Sequence, residues 1–196
     1  MGLISNGTTL LDAGSLSVSA GAMTLLSTVT ASSGDSTITF ASSINSTYKE
    51  YIFKFIDVHL SANARLLVNF RDGSTDYDAT KTTTFFEAYH YESDSSLSVG
   101  YVTDYDLAQS TGAHTLAYIG NGNDEASSGT LHLYDPASTT FVKNFMSVAS
   151  CYHGSDLALQ AHSGGYCNVT AAIDGVQFSA NTGTIDAGVF KMYGVS

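Results

Sequence analysis

The stretch "YKEYIFKFIDVHL", Tyr48 to Leu60, decides the fold class. Read with a period of two, Tyr51, Phe53 and Phe55 share one face of a strand. Ile52, Ile56, Val58 and Leu60 share the other face with Lys54. Apolar groups on both faces predict a strand covered on both sides. One cover is the domain core, and the other is a second layer or a neighbouring subunit.

The neighbouring segments repeat this period. "MTLLSTVTAS" (23–32) and "STITFASS" (36–43) are β-favouring runs joined by a turn at Ser33, Gly34 and Asp35. "ARLLVNFRDG" (64–73) alternates Leu66, Val68 and Phe70 with Leu67, Asn69 and Arg71, then turns at Asp72-Gly73. "TTTFFEAYHYE" (82–92) puts Phe85, Glu87, Tyr89 and Tyr91 on one face. "GTLHLYDP" (129–136) alternates Leu131 and Leu133 with Thr130, His132 and Tyr134, and Pro136 ends it. "FVKNFMSVASCY" (141–152) sets Phe141, Lys143 and Phe145 against Val142, Met146 and Val148. With "SLSVGYVTDYDL" (96–107) partly extended, and "GYCNVTAAIDGVQF" and "GVFKMYGV" closing the chain, the pattern predicts eight to ten short strands. Such spacing is that of an all-β sandwich or barrel. There is no amphipathic helix pattern and no internal repeat.

The chain has 196 residues, long enough for one domain with a real core. Charged residues make up 13%, about half the usual share, so Ser, Thr, Asn and Gly carry the solubility. The net charge of −11 disfavours nucleic acid and anionic membranes as partners. Residues 1–21 read as a small-residue N-terminal arm and 22–196 as the sandwich domain. The opening residues lack the charged and apolar regions of an export signal, which predicts synthesis in a cytoplasm.

Chemistry is sparse. Asp72, Asp76 and Asp78 in "RDGSTDYD" have oxygen ligands of the type calcium takes, but their spacing is not that of an EF-hand. A polar turn selects the same residues. "GNGNDE" (120–125) lacks the pattern of a phosphate cradle. The six histidines form no HxH or HxxxH pair; His153 and His162, with Asp156, flank one loop. No GxSxG is present, and Ser163 beside His162 points to the opposite face of a strand. No cofactor is expected. Cys151 and Cys167 face each other only if their strands pair in that register; two reduced, buried thiols are the expectation. Tyr101, Asp104, Tyr105 and Asp106 in "YVTDYD" are the candidates for contact with a sugar.

Six stretches taken together carry a family resemblance: "GLISNGTTLLDAGSL", "STYKEYIFKFIDVHL", "FFEAYHYE", "GYVTDYDLAQSTG", "SGTLHLYDPASTTFVKNF" and "AAIDGVQFSANTGTIDAGVFKMYGV". The chain resembles virion structural proteins encoded mainly by tailed phages of marine bacteria, including phages of cyanobacteria. The resemblance implies a jelly-roll-like antiparallel β-sandwich displayed on a particle, of the minor structural, tail-fibre or decoration type. It implies other virion proteins as partners, a symmetric homo-oligomer with a trimer preferred, and a host-surface glycan as a further contact. It supplies no catalytic residues. On this reading Leu3, Ile4, Leu10 and Leu11 of the arm dock on a neighbouring protein or sister subunit. The runner-up is a carbohydrate-binding jelly-roll module, against which the absence of Trp counts.

Overall fold

The computed structural model describes residues 3–5, 8–12, 15–16 and 23–195. Three short strands, β1 (Leu3–Ser5), β2 (Thr8–Asp12) and β3 (Ser15–Leu16), pair antiparallel as a small sheet of their own. Twelve more strands follow. They are β4 (Met23–Thr30), β5 (Thr37–Phe40), β6 (Glu50–Leu60), β7 (Ala64–Arg71), β8 (Lys81–Tyr91) and β9 (Leu97–Tyr101). After a 3-10 turn at Thr103–Tyr105 come β10 (His114–Ile119), β11 (Ser127–Tyr134), β12 (Lys143–His153), β13 (Leu157–Cys167), β14 (Gly175–Ala180) and β15 (Ile185–Val195).

Two antiparallel sheets pack together. One has four strands in the order β10-β7-β14-β5. The other has eight, in the order β4-β15-β6-β11-β12-β13-β8-β9. Setting aside β8, β9, β12 and β13 leaves eight strands. Their first, last, third and sixth form one sheet, and their second, seventh, fourth and fifth form the other. That is the order of a jelly roll, with its two interleaved Greek keys. The four remaining strands are insertions that extend one sheet beyond β11, with β9 at its free edge.

The core is aromatic. Phe178 of β14 lies under four other rings: Phe190 at 5.1 Å, Phe53 at 6.1 Å, Phe40 at 6.3 Å and Phe55 at 6.4 Å between centroids. All five are buried, as the alternation in β5, β6, β14 and β15 requires. β15 is paired on both sides, to β4 and β6, with Phe190 and Met192 inward.

Strand β6 departs from strict alternation. Tyr51, Phe53 and Phe55 face the core, but so do Val58 and Leu60. Asp57, at φ +50°, inserts an extra residue, and the register slips there against both β11 and β15. A bulge of this kind re-aims every later side chain. Before the bulge Glu50, Ile52, Lys54 and Ile56 lie on the outer face. On β15 the matching kink uses Gly188 at φ +128°, where a Cβ would sit 2.9 Å from the Val58 Cα.

The inserted strands have their own cover. β10 packs over β12 and β13. The segment after β9 lies under β8: Tyr105 meets Phe85 edge-on at 5.2 Å, and Leu107 N–H donates to Thr83 Oγ1.

Candidate functional site

The broadest candidate surface is the outer face of the large sheet. Its inner face is the core; its outer face has no second layer among the described residues. One outward row crosses all eight strands: Thr28, Lys191, Lys54, Thr130, Val148, His162, Phe86 and Tyr101. The next row runs Leu25, Tyr193, Ile52, His132, Met146, Gly164 and Thr84. Neither row contains a carboxylate, although the chain has 18 acids. Large apolar groups stand open on this face, including Leu25 at 52%, Phe86 at 46% and Met146 at 48% exposure. His162 stacks flat on Phe86 at 5.1 Å, which fixes both rings.

Basic groups are distributed unevenly. Of the 7 Lys and Arg residues, Lys49 pairs with Asp135 and Arg71 with Asp174. Arg65 lies over the Tyr105 ring, and Lys81 and Lys143 are buried. Lys54 and Lys191 remain, side by side on the outer face, with Lys54 Nζ over the Tyr193 ring at 5.6 Å. At the far edge, β9 presents Leu97 at 70% and Val99 at 75% exposure. Tyr101 ends that strand and donates to Asp106 Oδ2 at 2.6 Å.

The inner face of the insertions is polar where a core would ordinarily be apolar. Lys143, Cys167 and Lys81 stand opposite one another on β12, β13 and β8, all fully buried. Lys81 Nζ donates to Gly112 O at 2.8 Å, and Lys143 Nζ to Val169 O at 2.8 Å. Burial lowers the Lys81 ammonium to about 8 and lowers Lys143 in the same direction. Burial pushes the Cys151 and Cys167 thiols up to about 12. Stability should therefore pass through a peak at alkaline pH, above about 8. From about pH 8 the folded state sheds the Lys81 proton while the unfolded chain keeps it, so stability rises. Above about 9 the unfolded chain ionises both thiols while the folded state holds them neutral, so stability falls. Urea unfolding between pH 7 and 11 should show this peak, and Cys151→Ala with Cys167→Ala should move it upward.

The residues singled out from sequence are scattered by the fold. Asp72, Asp76 and Asp78 lie in or beside a turn with Gly73 at φ +91°, and Asp76 N–H is held by Ser74 Oγ. The buried ammoniums of Lys81 and Lys143 lie close enough to Asp72 to interact with its charge, an unfavourable setting for a further cation. Among the described residues no three His, Cys, Asp or Glu side chains gather as metal ligands. The 120–125 loop closes on its own acid: Gly122 N–H donates to the buried Glu125 carboxylate, which fills the space over Gly120. Tyr105 is half-buried and turned inward against Phe85.

Cys151 sits opposite Leu159 and Cys167 opposite Lys143. Eight residues of strand separate those positions, about 26 Å, far beyond the roughly 7 Å limit for a disulfide. Both are free and buried. His153 stacks on Tyr118 at the hairpin end, whereas His162 lies mid-strand on the outer face, so the pair does not converge. In the arm, Ile4 is exposed at 61%. The side chains of Leu3, Leu10 and Leu11 fall outside the described residues.

A groove missed in the sequence opens at the outer rim of the insertions. Ala158 forms its floor between His90 and Tyr152, and Tyr91, Glu92 and Ser150 complete the wall. Its volume is about 520 Å³, within the size range of small-molecule sites. The only sequence signal is a small residue flanked across two strands by large ones, and it shows once the register is known. Protein-family models and curated proteins return no match to this chain.

Proposed function

We propose that this chain is a non-enzymatic structural protein of a phage virion, a tail, fibre or capsid-decoration component that assembles as a homo-oligomer. The observation that carries the reading is the outer face of the large sheet. It is broad, exposes Leu25, Phe86 and Met146, and its two central rows hold no carboxylate on an otherwise acidic molecule, the nearest being Glu50, which His132 engages at 2.6 Å. Interface cores are depleted of charge and enriched in aromatic residues and Met, and this face has that composition. The jelly roll is a scaffold shared by capsid and lectin domains, so the fold supports the reading by analogy alone. Mass spectrometry of purified particles of the phage that encodes the chain is the test. The chain should be present in salt-washed particles at a fixed copy number. Its absence from them would sink the reading.

A second reading, carbohydrate binding, draws on the groove over Ala158. Tyr152 offers an aromatic face, and Glu92, His90 and Ser150 offer hydrogen-bonding groups. Under it, a glycan array returns a binder whose signal falls at least tenfold in Tyr152→Ala. No binder on the array removes this reading and leaves the first intact.

A further inference from the structure

The geometry points to a head-to-tail contact between copies of this chain, in which the β4–β15–β6 end of one outer face seats the β9 edge of the next copy. The inference rests on the structural reading above and names the partner of that surface.

The two ends of the eight-stranded sheet are complementary. At one end Leu25, Ile52 and Tyr193 surround Lys54 and Lys191, which have no carboxylate partner among the described residues. At the other end Leu97, Val99 and Tyr101 stand exposed beside Asp104 and Asp106. Apolar groups therefore meet apolar groups, and two lysines meet two aspartates. Strand β9 also offers one unpaired row of backbone N–H and C=O groups, because only β8 pairs with it.

Six and five strand spacings of about 4.8 Å put Lys191 and Lys54 roughly 29 and 24 Å from β9. A single copy thus cannot satisfy both within itself. A two-fold contact centred on Lys54 and Lys191 would bring the lysines of one copy against those of its partner, which like charge opposes, whereas a two-fold centred mid-row, near Val148 and His162, sets the lysine end of each copy on the β9 end of the other. A heterologous contact between the two ends avoids the like-charge clash as well, and it closes into a ring when the rotation allows.

The first readout is the mass of the full chain in solution by light scattering, on a protomer of 20.6 kDa. A closed multiple of that mass is expected. Lys54→Glu with Lys191→Glu should give a monomer, and so should Asp104→Lys with Asp106→Lys. All four changes in one chain restore the charge match and should restore the ring. A wild-type monomer overturns the inference, as do charge-reversed variants that stay assembled or a combined variant that stays monomeric.

The second readout needs no variant. Carbodiimide crosslinking of the wild type should join Lys54 or Lys191 to Asp104 or Asp106, a bond that the span of the sheet forbids within one copy. Absence of that link in an oligomer overturns the inference as well. A monomer in solution would remove the homo-oligomer from the reading above but leave its virion assignment standing, since that assignment is tested on the content of the particle.

Discussion

Phe178→Ala should cost about 3–5 kcal/mol of stability, the range for deleting a fully buried phenylalanine. In a chain of 196 residues this lowers the melting temperature by about 6–20 °C. The physical reason is the position of the ring. It comes from the four-stranded sheet and touches rings from both layers: Phe40 beside it, and Phe53, Phe55 and Phe190 across the sandwich. Truncation removes dispersion contacts with four neighbours at once and leaves a cavity. Backbones paired on both sides, as β6 and β15 are, resist collapsing into that cavity. Phe178→Leu keeps most of the volume and should lose less than half as much. Thermal or urea unfolding decides it. A loss under about 1 kcal/mol for the alanine variant would mean that the two layers do not meet through this cluster. Phe178→Ala combined with Phe53→Ala should lose less than the sum of the two, because the rings share contacts.

The sandwich was legible because side chains alternate wherever one face is buried. Leu66, Val68 and Phe70 on β7, Leu131 and Leu133 on β11, and Val176 and Phe178 on β14 all face the core that their spacing indicates. The bulge at Asp57 was not legible. A single aspartate at positive φ leaves no mark on hydrophobic spacing, so Val58 and Leu60 read as outward and are core. Strand number came out higher than the pattern suggested. β9 is exposed along its whole length, so it lacks the burial contrast that marks the other strands. Phe141, grouped by spacing with Lys143 and Phe145, lies outside β12 and is exposed.

The candidate surface was half legible. The two-faced reading of Tyr51 to Leu60 pointed to a second cover on Ile52 and Ile56, and their face is where the carboxylate-free rows run. The full width of that surface depends on which strands pair, and pairing order is a long-range property that no local spacing carries. The same holds for the polar interior of the insertions. Alternation placed Lys143 on the face of Phe145, but only the register shows Cys167 and Lys81 beside it. Lysines are rarely buried without partners. Here each ammonium reaches a loop carbonyl, which makes burial tolerable at a cost in stability.

Acid should destabilise the protein through one residue above all, His114. Its ring is fully buried beside Phe145, at 5.7 Å, and neither ring nitrogen has a protein partner. Burial, reinforced by the Lys81 charge and weakly opposed by Asp106, lowers its pKa to about 3. The sign follows from proton counts. Above about 6.5 both states hold a neutral imidazole, and the full contribution to stability is present. As pH falls below that value the unfolded chain binds a proton that the folded state refuses, so folding loses about 1.4 kcal/mol per pH unit. The loss continues until the folded pKa near 3, for a total of about 4–5 kcal/mol. His114→Leu removes the titrating group and two unsatisfied nitrogens. It should equal or exceed the wild type at pH 7 and hold its stability to about pH 4, apart from the carboxylates common to both chains. Parallel urea curves at pH 7, 5.5 and 4 give the difference directly. Equal slopes for the two chains would mean that the imidazole is protonated in the folded state and that a nearby acid, Asp106 or Glu87, has turned to meet it.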